Sequence, residues 1–212
     1  TPSQSSAASD VYKRQIKFLV KFFLINIKFM TIKSITVYCS SSDKLSNKYY
    51  QDAEEISKLI SSFKINIVYG GAKVGIMGVV AKTAKKYKNR VIGVIPNFLS
   101  EREIIFENID ELKIVDNMSE RKKLLFELGD AYLALPGGTG TLEEILEVVS
   151  WKIMGIHNKP IIFFNKNNFW DNLFQQFKFF EDEKFSNKNL QNSFHIIDTV
   201  DQLKNILIKW QK

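Results

Sequence analysis

The sequence contains few of the residues from which metal and disulfide sites are built. Its 212 residues include one cysteine, Cys39, and two histidines. A single cysteine excludes an intramolecular disulfide and suits a reducing compartment, and these three residues do not stand at the spacing of zinc ligands. Because Cys39 lies in an apolar strand pattern, we interpret it as a buried structural thiol. We expect no metal, no cofactor and a cytoplasmic location.

Long apolar runs and a strong charge of one sign are also missing. Residues 16–29 are apolar, but three lysines interrupt them, and a membrane span needs about 20 apolar residues. No cleavage site of a secretory signal follows them. The net charge is +7, but residues 1–29 hold five Lys or Arg against one Asp and so carry +4, which leaves +3 for residues 30–212. We therefore expect neither a membrane nor a nucleic acid as a partner.

The composition changes at Met30. Residues 1–15 are polar and rich in serine and alanine, whereas the residues from Met30 onward begin like a domain that starts with a strand. We expect residues 1–29 to be a non-native or disordered N-terminal extension, and a single α/β domain to span residues 30–212. A domain of this size buries roughly 70% of the surface of its unfolded chain, which is enough to fold without disulfides or metals.

A turn rich in glycine and threonine, residues 136–141, lies between a strand pattern and a helix pattern. Residues 131–135 predict a short buried strand, and the apolar stripe of the helix runs from Leu142 to Ile153 with Glu144 off it. Free N–H groups and the positive end of the helix dipole at such a turn favour a phosphate. The turn is not a P-loop, and Glu143 occupies the third glycine position of a dinucleotide fingerprint. A purely structural turn with two surface glutamates is the alternative.

Strand and helix patterns alternate along the rest of the chain. The patterns predict strands over residues 34–39, 66–69, 91–95, 112–115, 131–135, 160–164 and 195–197, and helices over residues 47–61, 74–86, 117–128, 142–153, 169–179 and 200–210. This alternation predicts an α/β fold, a Rossmann-like doubly wound parallel sheet with helices on both faces. We assign the aromatic residues between 163 and 177 to its core.

Polar or glycine-rich turns follow four of the predicted strands, at residues 40–43, 70–72, 96–103 and 136–141. The carboxyl ends of parallel strands share one edge, so we expect these turns to converge where doubly wound sheets bind their ligands. The serine run at 40–42 either binds polar ligand groups or leads into a helix cap at Ser46. Glycines inside a helix, at Gly75 and Gly78, indicate either close packing or close approach to a ligand.

Four segments carry a family resemblance. They are Gly-Gly at 70–71, Glu-Arg-Glu-Ile at 101–104, Met-Ser-Glu-Arg-Lys at 118–122, and Pro-Gly-Gly-Thr-Gly-Thr-Leu-Glu-Glu at 136–144. Together they resemble the LONELY GUY family of cytokinin riboside 5′-monophosphate phosphoribohydrolases, many of which carry the inherited label "possible lysine decarboxylase". The resemblance runs from Ile32 to Phe180. Ser40 and Glu101 depart from it, since relatives usually have glycine and proline there.

The resemblance implies a reaction and a set of site residues. The reaction is hydrolysis of the N-glycosidic bond of adenosine 5′-monophosphates, preferably N6-modified, to free base and ribose 5-phosphate by a homodimer without a cofactor. The catalytic pair carries over to Arg121 and Glu144. Substrate-binding positions are placed at Ser40, Gly70, Gly71, Glu103, Met118, Lys122, Gly138, Thr139, Gly140, Thr141, Glu143 and Ser150.

The residue types at the catalytic positions suit this reaction. Cleavage of an N-ribosidic bond builds positive charge on the ribose, as in glycoside cleavage. A carboxylate at Glu144 stabilises that charge and orients or deprotonates the attacking water. Arg121 offers a planar fork of donors for phosphate or ribose hydroxyls, although a solvated basic helix start has the same pattern.

Other functions are weighed against hydrolysis. Lysine decarboxylation generally requires pyridoxal phosphate on a lysine, but the 136–141 turn has no lysine and Lys152 comes only on the third helical turn beyond it, so we reject that label. A non-catalytic carrier of a nucleotide or of molybdenum cofactor needs the phosphate turn but not Arg121 and Glu144 together. DNA binding by a similar sheet is the third alternative, but the sequence shows no clear basic stripe to support it.

Overall fold

The structure, a computed structural model, describes residues 32–100, 105–186 and 190–211. The expected extension, residues 1–29, lies outside the described residues, so the boundary at Met30 stays a prediction. The residues from Ile32 to Gln211 form one compact unit. Within the described ranges, no helix combines the length and the apolar character needed to cross a membrane.

The described residues form seven strands and seven α-helices. The strands are β1 (Ser34–Tyr38), β2 (Asn66–Tyr69), β3 (Val91–Pro96), β4 (Glu111–Val115), β5 (Ala131–Ala134), β6 (Ile161–Phe164) and β7 (His195–Ile197). The helices are α1 (Asn47–Ser62), α2 (Gly75–Lys86), α3 (Asn97–Ser100), α4 (Met118–Leu128), α5 (Thr139–Ile153), α6 (Asp171–Asp182) and α7 (Val200–Trp210). Short 3-10 turns lie at Lys166–Asn168 and Gln191–Ser193.

These elements confirm the predicted alternation. Several element ends differ from the prediction, as for α6, which spans Asp171–Asp182 rather than 169–179, and three further differences have physical causes. Helix α5 begins at Thr139 rather than at Leu142, because the second half of the glycine-rich turn is already helical. Pro96 lies inside β3, since only β4 pairs with this end of the strand and the β2 register stops at Gly93. The short helix α3, directly after β3, was too brief for a periodic pattern to indicate it.

The seven strands form one parallel sheet in the order β4-β3-β2-β1-β5-β6-β7. The chain first builds outward from β1 to β4 and then returns to the other side of β1 for β5 to β7. This order confirms the Rossmann-like doubly wound sheet. It places the reversal of strand order between β1 and β5, where the neighbouring loops leave in opposite directions and open a crevice.

Alternate strand residues enter two separate apolar cores, one on each face of the sheet. On one face, Ile35 and Val37 of β1 pack with buried residues of α1, α2 and α7. On the other, Tyr38 packs with buried residues of α4, α5 and α6. Four of the aromatic residues assigned to the core are buried and at most 4% exposed: Phe163, Phe164, Trp170 and Phe177. Phe169, in contrast, is 37% exposed.

Candidate active site

A cleft of about 310 Å³ opens at the point where the strand order reverses. The carboxyl ends of β1 and β5 are joined there, since Leu135 N donates to Tyr38 O at 2.9 Å and Ser40 N donates to Pro136 O at 3.3 Å. The cleft is lined by Cys39, Ser40, Ser41, Ser42, Met77, Arg121, Gly138, Thr139, Gly140, Thr141 and Glu144. Two of the predicted polar turns, 40–43 and 136–141, therefore face each other across one cavity.

The N-terminus of α5 forms one wall of this cleft. Gly138 occupies the N-cap position with extended backbone, and no side chain of the described residues caps it. The first intrahelical bond is donated by Leu142 N to Gly138 O at 3.0 Å, so the amides of Thr139, Gly140 and Thr141 have no partner within the helix. Three amides at the positive end of the helix dipole favour an anion, as the motif predicts.

The glycines of this turn differ in what their missing side chains make room for. A Cβ on Gly137 would lie 2.1 Å from Thr141 Oγ1, so the fold itself requires glycine there. A Cβ on Gly138 or Gly140 would meet no protein atom within 4 Å. Packing does not account for these two glycines, and the open space beside them lies in the cleft. This observation favours a ligand site over a purely structural turn.

Arg121 and Glu144 lie together on the inner wall of the cleft. Their side chains approach to 3.5 Å between Nη2 and Oε1, and the two residues are only 7% and 6% exposed. Nη1 of Arg121 lies 3.8 Å from the sulfur of Met118, and Nε is buried without a hydrogen-bond partner among the described residues. A buried guanidinium with unused donors is costly, and its free donors are suited to anionic or hydroxyl groups of a ligand.

The environment of Glu144 alters its acidity. Burial raises the pKa of its carboxyl group to about 7, and the neighbouring charge of Glu143 acts in the same direction, whereas Arg121 and Lys122 oppose the shift. The sequence pattern placed Glu144 off the apolar stripe, but the structure buries it. Glu144 lies on the second turn of α5, on the side that faces the cleft and Arg121 of α4, so the alternative of two surface glutamates is wrong for Glu144.

Gly70 makes room for the guanidinium of Arg121. A Cβ on Gly70 would lie 2.4 Å from Arg121 Nη2 and 2.9 Å from Met77 Cε. The glycines of α2 have a structural explanation instead. Gly75 has a φ of +63° and would bring a Cβ within 2.5 Å of the Ser41 backbone, while a Cβ on Gly78 would lie 2.0 Å from Lys73 O. Close packing therefore accounts for both.

The structure brings only some of the predicted substrate-binding residues together in the cleft. Ser40, Gly138, Thr139, Gly140 and Thr141 line the cleft with the catalytic pair. Five others lie elsewhere or act indirectly. Gly71 packs on Ile95, Met118 contacts Arg121, Lys122 pairs with Glu143, and Ser150 is exposed on α5. Glu103 lies outside the described residues, so its role stays a prediction.

Four lining residues were not among the substrate-binding positions that the family resemblance implies. Ser41 and Ser42 belong to the serine run, while Met77 enters from α2, with its N–H donating to Ser40 O at 3.2 Å. Cys39 is 1% exposed, and burial raises the pKa of its thiol, which confirms the structural interpretation.

Ser40 Oγ accepts a hydrogen bond from Ser42 N at 3.1 Å, so it stabilises its own turn. Ser46 is the N-cap of α1, but its side chain makes no capping hydrogen bond.

The cleft does not offer a lysine for a Schiff base. Arg121 is the basic residue among its lining residues, and the Nζ of Lys152 donates instead to Lys159 O at 3.0 Å. Within the described ranges, no group of three or more His, Cys, Asp or Glu side chains is arranged to hold a metal ion. The residues present therefore suit chemistry carried out by Arg121, Glu144 and backbone amides.

Comparison with known proteins gives a family for this site. A family model described as "Possible lysine decarboxylase" matches residues 77–207. The cytokinin riboside 5′-monophosphate phosphoribohydrolase of Rhodococcoides fascians is 44% identical over 141 residues, which are 66% of this chain and 71% of that protein. LOG6 of Arabidopsis thaliana is 37% identical over 180 residues, which are 85% of this chain and 88% of that protein.

Solved structures show the same fold at lower identity. The molybdenum cofactor binding protein from Rippkaea orientalis superposes with a TM-score of 0.63 at 19% identity, over 83% of this chain and 96% of that one. At this identity the likeness shows the fold alone. The family match and the two relatives agree with the segments singled out in the sequence. The chain therefore belongs to the family described as "Possible lysine decarboxylase", together with the cytokinin riboside 5′-monophosphate phosphoribohydrolases that it resembles.

Proposed function

We propose that this protein hydrolyses the N-glycosidic bond of adenosine 5′-monophosphates, preferably those modified at N6, to give the free base and ribose 5-phosphate. The observation that carries the proposal is the buried Arg121–Glu144 pair, 3.5 Å apart, in the same cleft as the uncapped N-terminus of α5. Relatives at 44% and 37% identity support it, the first of them a named cytokinin riboside 5′-monophosphate phosphoribohydrolase.

The substrate binds through its phosphate. The 5′-phosphate accepts hydrogen bonds from the amides of Thr139, Gly140 and Thr141, whose dipoles favour its negative charge. Glu144 lies on the second turn of α5, directly after the three amides, so the ribose attached to the phosphate reaches its carboxyl group. The unused donors of Arg121 bind the phosphate or the ribose hydroxyls. The positive charge of Arg121 also offsets the negative charges of the phosphate and of Glu144.

Bond cleavage then proceeds with a water molecule as the nucleophile. The bond between C1′ and the base nitrogen breaks, its electron pair leaves with the base, and the base takes up a proton. The water oxygen bonds to C1′ and gives up one proton, which ionised Glu144 accepts. The same carboxylate stabilises the positive charge that develops on the ribose. With a pKa of about 7, Glu144 can both accept and release this proton near neutral pH.

The experiment is a comparison of substrates with the full chain. We expect free base to be released from N6-isopentenyl-AMP and from AMP, and far less from the corresponding nucleosides, because these lack the phosphate that α5 holds. Chromatography of the products, with ribose 5-phosphate measured in parallel, gives the stoichiometry. Bound but intact nucleotide would instead favour the non-catalytic carrier, and release of base from nucleosides at equal rates would contradict the phosphate site.

We further propose that the protein acts as a cytoplasmic homodimer without a nucleic-acid partner. A buried lone cysteine suits a reducing compartment, and the charge of +3 on residues 30–212 is weak for nucleic acid. A groove on α4 and β4, lined in part by Val115 and Leu124, together with Ile114 at 57% exposure, supports a surface for a second copy. Light scattering of the purified chain tests the dimer, and a fluorescence titration with DNA tests the absence of nucleic-acid binding.

A further inference from the structure

We infer that Lys122 is a positioning residue that fastens helix α4, which carries Arg121, to helix α5, which carries Glu144. The inference rests on the proposed hydrolysis, and it gives Lys122 and Glu143 a role other than substrate contact. The Nζ of Lys122 donates to Glu143 Oε1 at 3.0 Å and lies 3.5 Å from Glu147 Oε2. Since Glu143 and Glu147 are one helical turn apart, a single ammonium group joins two turns of α5 to α4.

The two helices need this connection because they rest largely on different strands. Helix α4 packs on β1, β2, β3 and β4, whereas α5 packs on β1 and β5. Near their C-terminal ends, the helices are joined by the rings of Phe126 and Trp151, which meet edge to face with centroids 4.7 Å apart. At the N-terminal ends, charged side chains make the connection, through Arg121–Glu144 and the bridges of Lys122.

A bound substrate competes with Glu144 for the guanidinium of Arg121, so a contact outside the pair is needed to keep its spacing. Its 3.5 Å separation is at the long end of hydrogen-bond distances, and a bound substrate draws Arg121 toward its own oxygens. Lys122 adjoins Arg121 in the chain, and Glu143 adjoins Glu144. The bridges from Lys122 to Glu143 and Glu147 therefore link the backbones on both sides of the pair without involving its side chains. Because the Glu143 side chain is 55% exposed, each bridge is of modest strength, and the two act together.

Lys122 also belongs to the charges that act on Glu144. The groups that face Glu144 are Arg121 and Lys122 of α4, Glu143 and Glu147 of α5, and the neutral Tyr38 and Cys39 at the end of β1. Without the ammonium group of Lys122, Arg121 would be the one cation of these groups that faces the carboxyl groups of Glu143, Glu144 and Glu147. Lys122 lowers the pKa of Glu144 and Glu143 raises it, so loss of the lysine moves the ionisation of Glu144 to higher pH.

The test is a charge exchange in the full chain. In Lys122→Glu/Glu143→Lys, the new lysine at position 143 faces the new glutamate at position 122 and also Glu147, so the bridges re-form with reversed polarity. We expect kcat to fall roughly tenfold in Lys122→Glu and to return to within about threefold of the wild-type value in the exchange variant, with little change in KM. The control is Lys178→Asp/Asp182→Lys, an exposed pair at 3.0 Å on helix α6, which should leave kcat unchanged.

Two results would overturn the inference. An exchange variant that stays as slow as Lys122→Glu, with a raised KM, would make Lys122 a substrate contact. A readout that does not depend on activity is the carbon-13 NMR titration of glutamate carboxyl groups, with the Glu144 signal assigned by its loss in Glu144→Gln. We expect Lys122→Met to shift this titration to higher pH, and an unshifted titration would also contradict the inference. If the wild-type chain releases no base at all, the proposed function fails, while the titration still decides the role of Lys122.

Discussion

At the scale of single residues, the carboxyl group of Glu144 is held away from water beside a guanidinium that does not fully pair with it. Burial raises the pKa of Glu144 more than Arg121, 3.5 Å away, lowers it. The pKa therefore rises from 4.5 to about 7. An active-site carboxyl group with such a pKa carries different charges on the two sides of neutral pH. The same property makes the stability of the protein depend on pH.

The first prediction concerns this dependence. Between pH 4.5 and about 7, the folded protein holds a proton on Glu144 that the unfolded chain releases, so the free energy of unfolding falls as the pH rises through this window. The stabilisation is complete below pH 4.5 and lost above about 7. We expect wild type to lose on the order of 3 kcal/mol relative to Glu144→Gln across the window. Urea unfolding curves at several pH values measure this difference, and parallel pH dependences in the two proteins would contradict it.

The second prediction concerns Gly70. In Gly70→Ala the new methyl group would lie 2.4 Å from Arg121 Nη2, so the guanidinium must move away from Glu144. We expect kcat for base release to fall by at least roughly tenfold, measured by steady-state kinetics. Gly155→Ala is the matched control, because Gly155 has a φ of +75° but open space around it. That variant should lose stability through backbone strain and keep its kcat, whereas equal kcat losses in both variants would point to general destabilisation.

At the scale of elements, the N-terminus of α5 and the turn before it act as one unit. Gly137 is required by the fold, since Thr141 fills the space where its side chain would be, whereas Gly138 and Gly140 face open space. The third prediction follows from this contrast. We expect Gly140→Ala to raise the free energy of unfolding by about 0.5–1 kcal/mol, because alanine favours a helix, and to weaken inorganic phosphate binding in a calorimetric titration.

Gly137→Ala is the counterpart of that variant. Its methyl group would lie 2.1 Å from Thr141 Oγ1, so we expect a clear loss of stability in the same unfolding measurement. A Gly140→Ala protein that binds phosphate as tightly as wild type would show that the open space beside this glycine does not hold the ligand.

The elements were largely predictable from the sequence because their apolar periods are regular. The ends of β2, β7 and α7 agree with the predicted ones, as does the C-terminal end of α2. The start of α5 was not predicted, because glycine and threonine disfavour a helix in isolation and only the tertiary setting makes 139–141 its first turn. The resemblance to the family placed Arg121 and Glu144 in one site, but no spacing rule indicates that Lys122 pairs with Glu143. That pairing depends on how α4 and α5 lie on the sheet.

At the scale of the whole molecule, the order of the strands determines where chemistry occurs. The reversal between β1 and β5 brings the serine run and the glycine-rich turn to one cleft, although nearly 100 residues separate them. The residues from Ile32 to Gln211 form a compact unit by themselves. The fourth prediction is therefore that residues 30–212 alone melt at the temperature of the full chain and keep its kcat. Calorimetry and kinetics on the two proteins check this, and a lower melting temperature would assign residues 1–29 a stabilising role.

The central claim is that the cleft binds the phosphate of a nucleotide and that Glu144 cleaves its glycosidic bond. The most direct measurement compares wild type with Glu144→Gln, following release of base from N6-isopentenyl-AMP and, in parallel, calorimetric binding of ribose 5-phosphate. Glutamine keeps the shape of the side chain but cannot ionise, so we expect release of base to be lost and ribose 5-phosphate to bind at least as tightly. Release of base at the wild-type rate by Glu144→Gln would remove Glu144 from the mechanism and contradict the account.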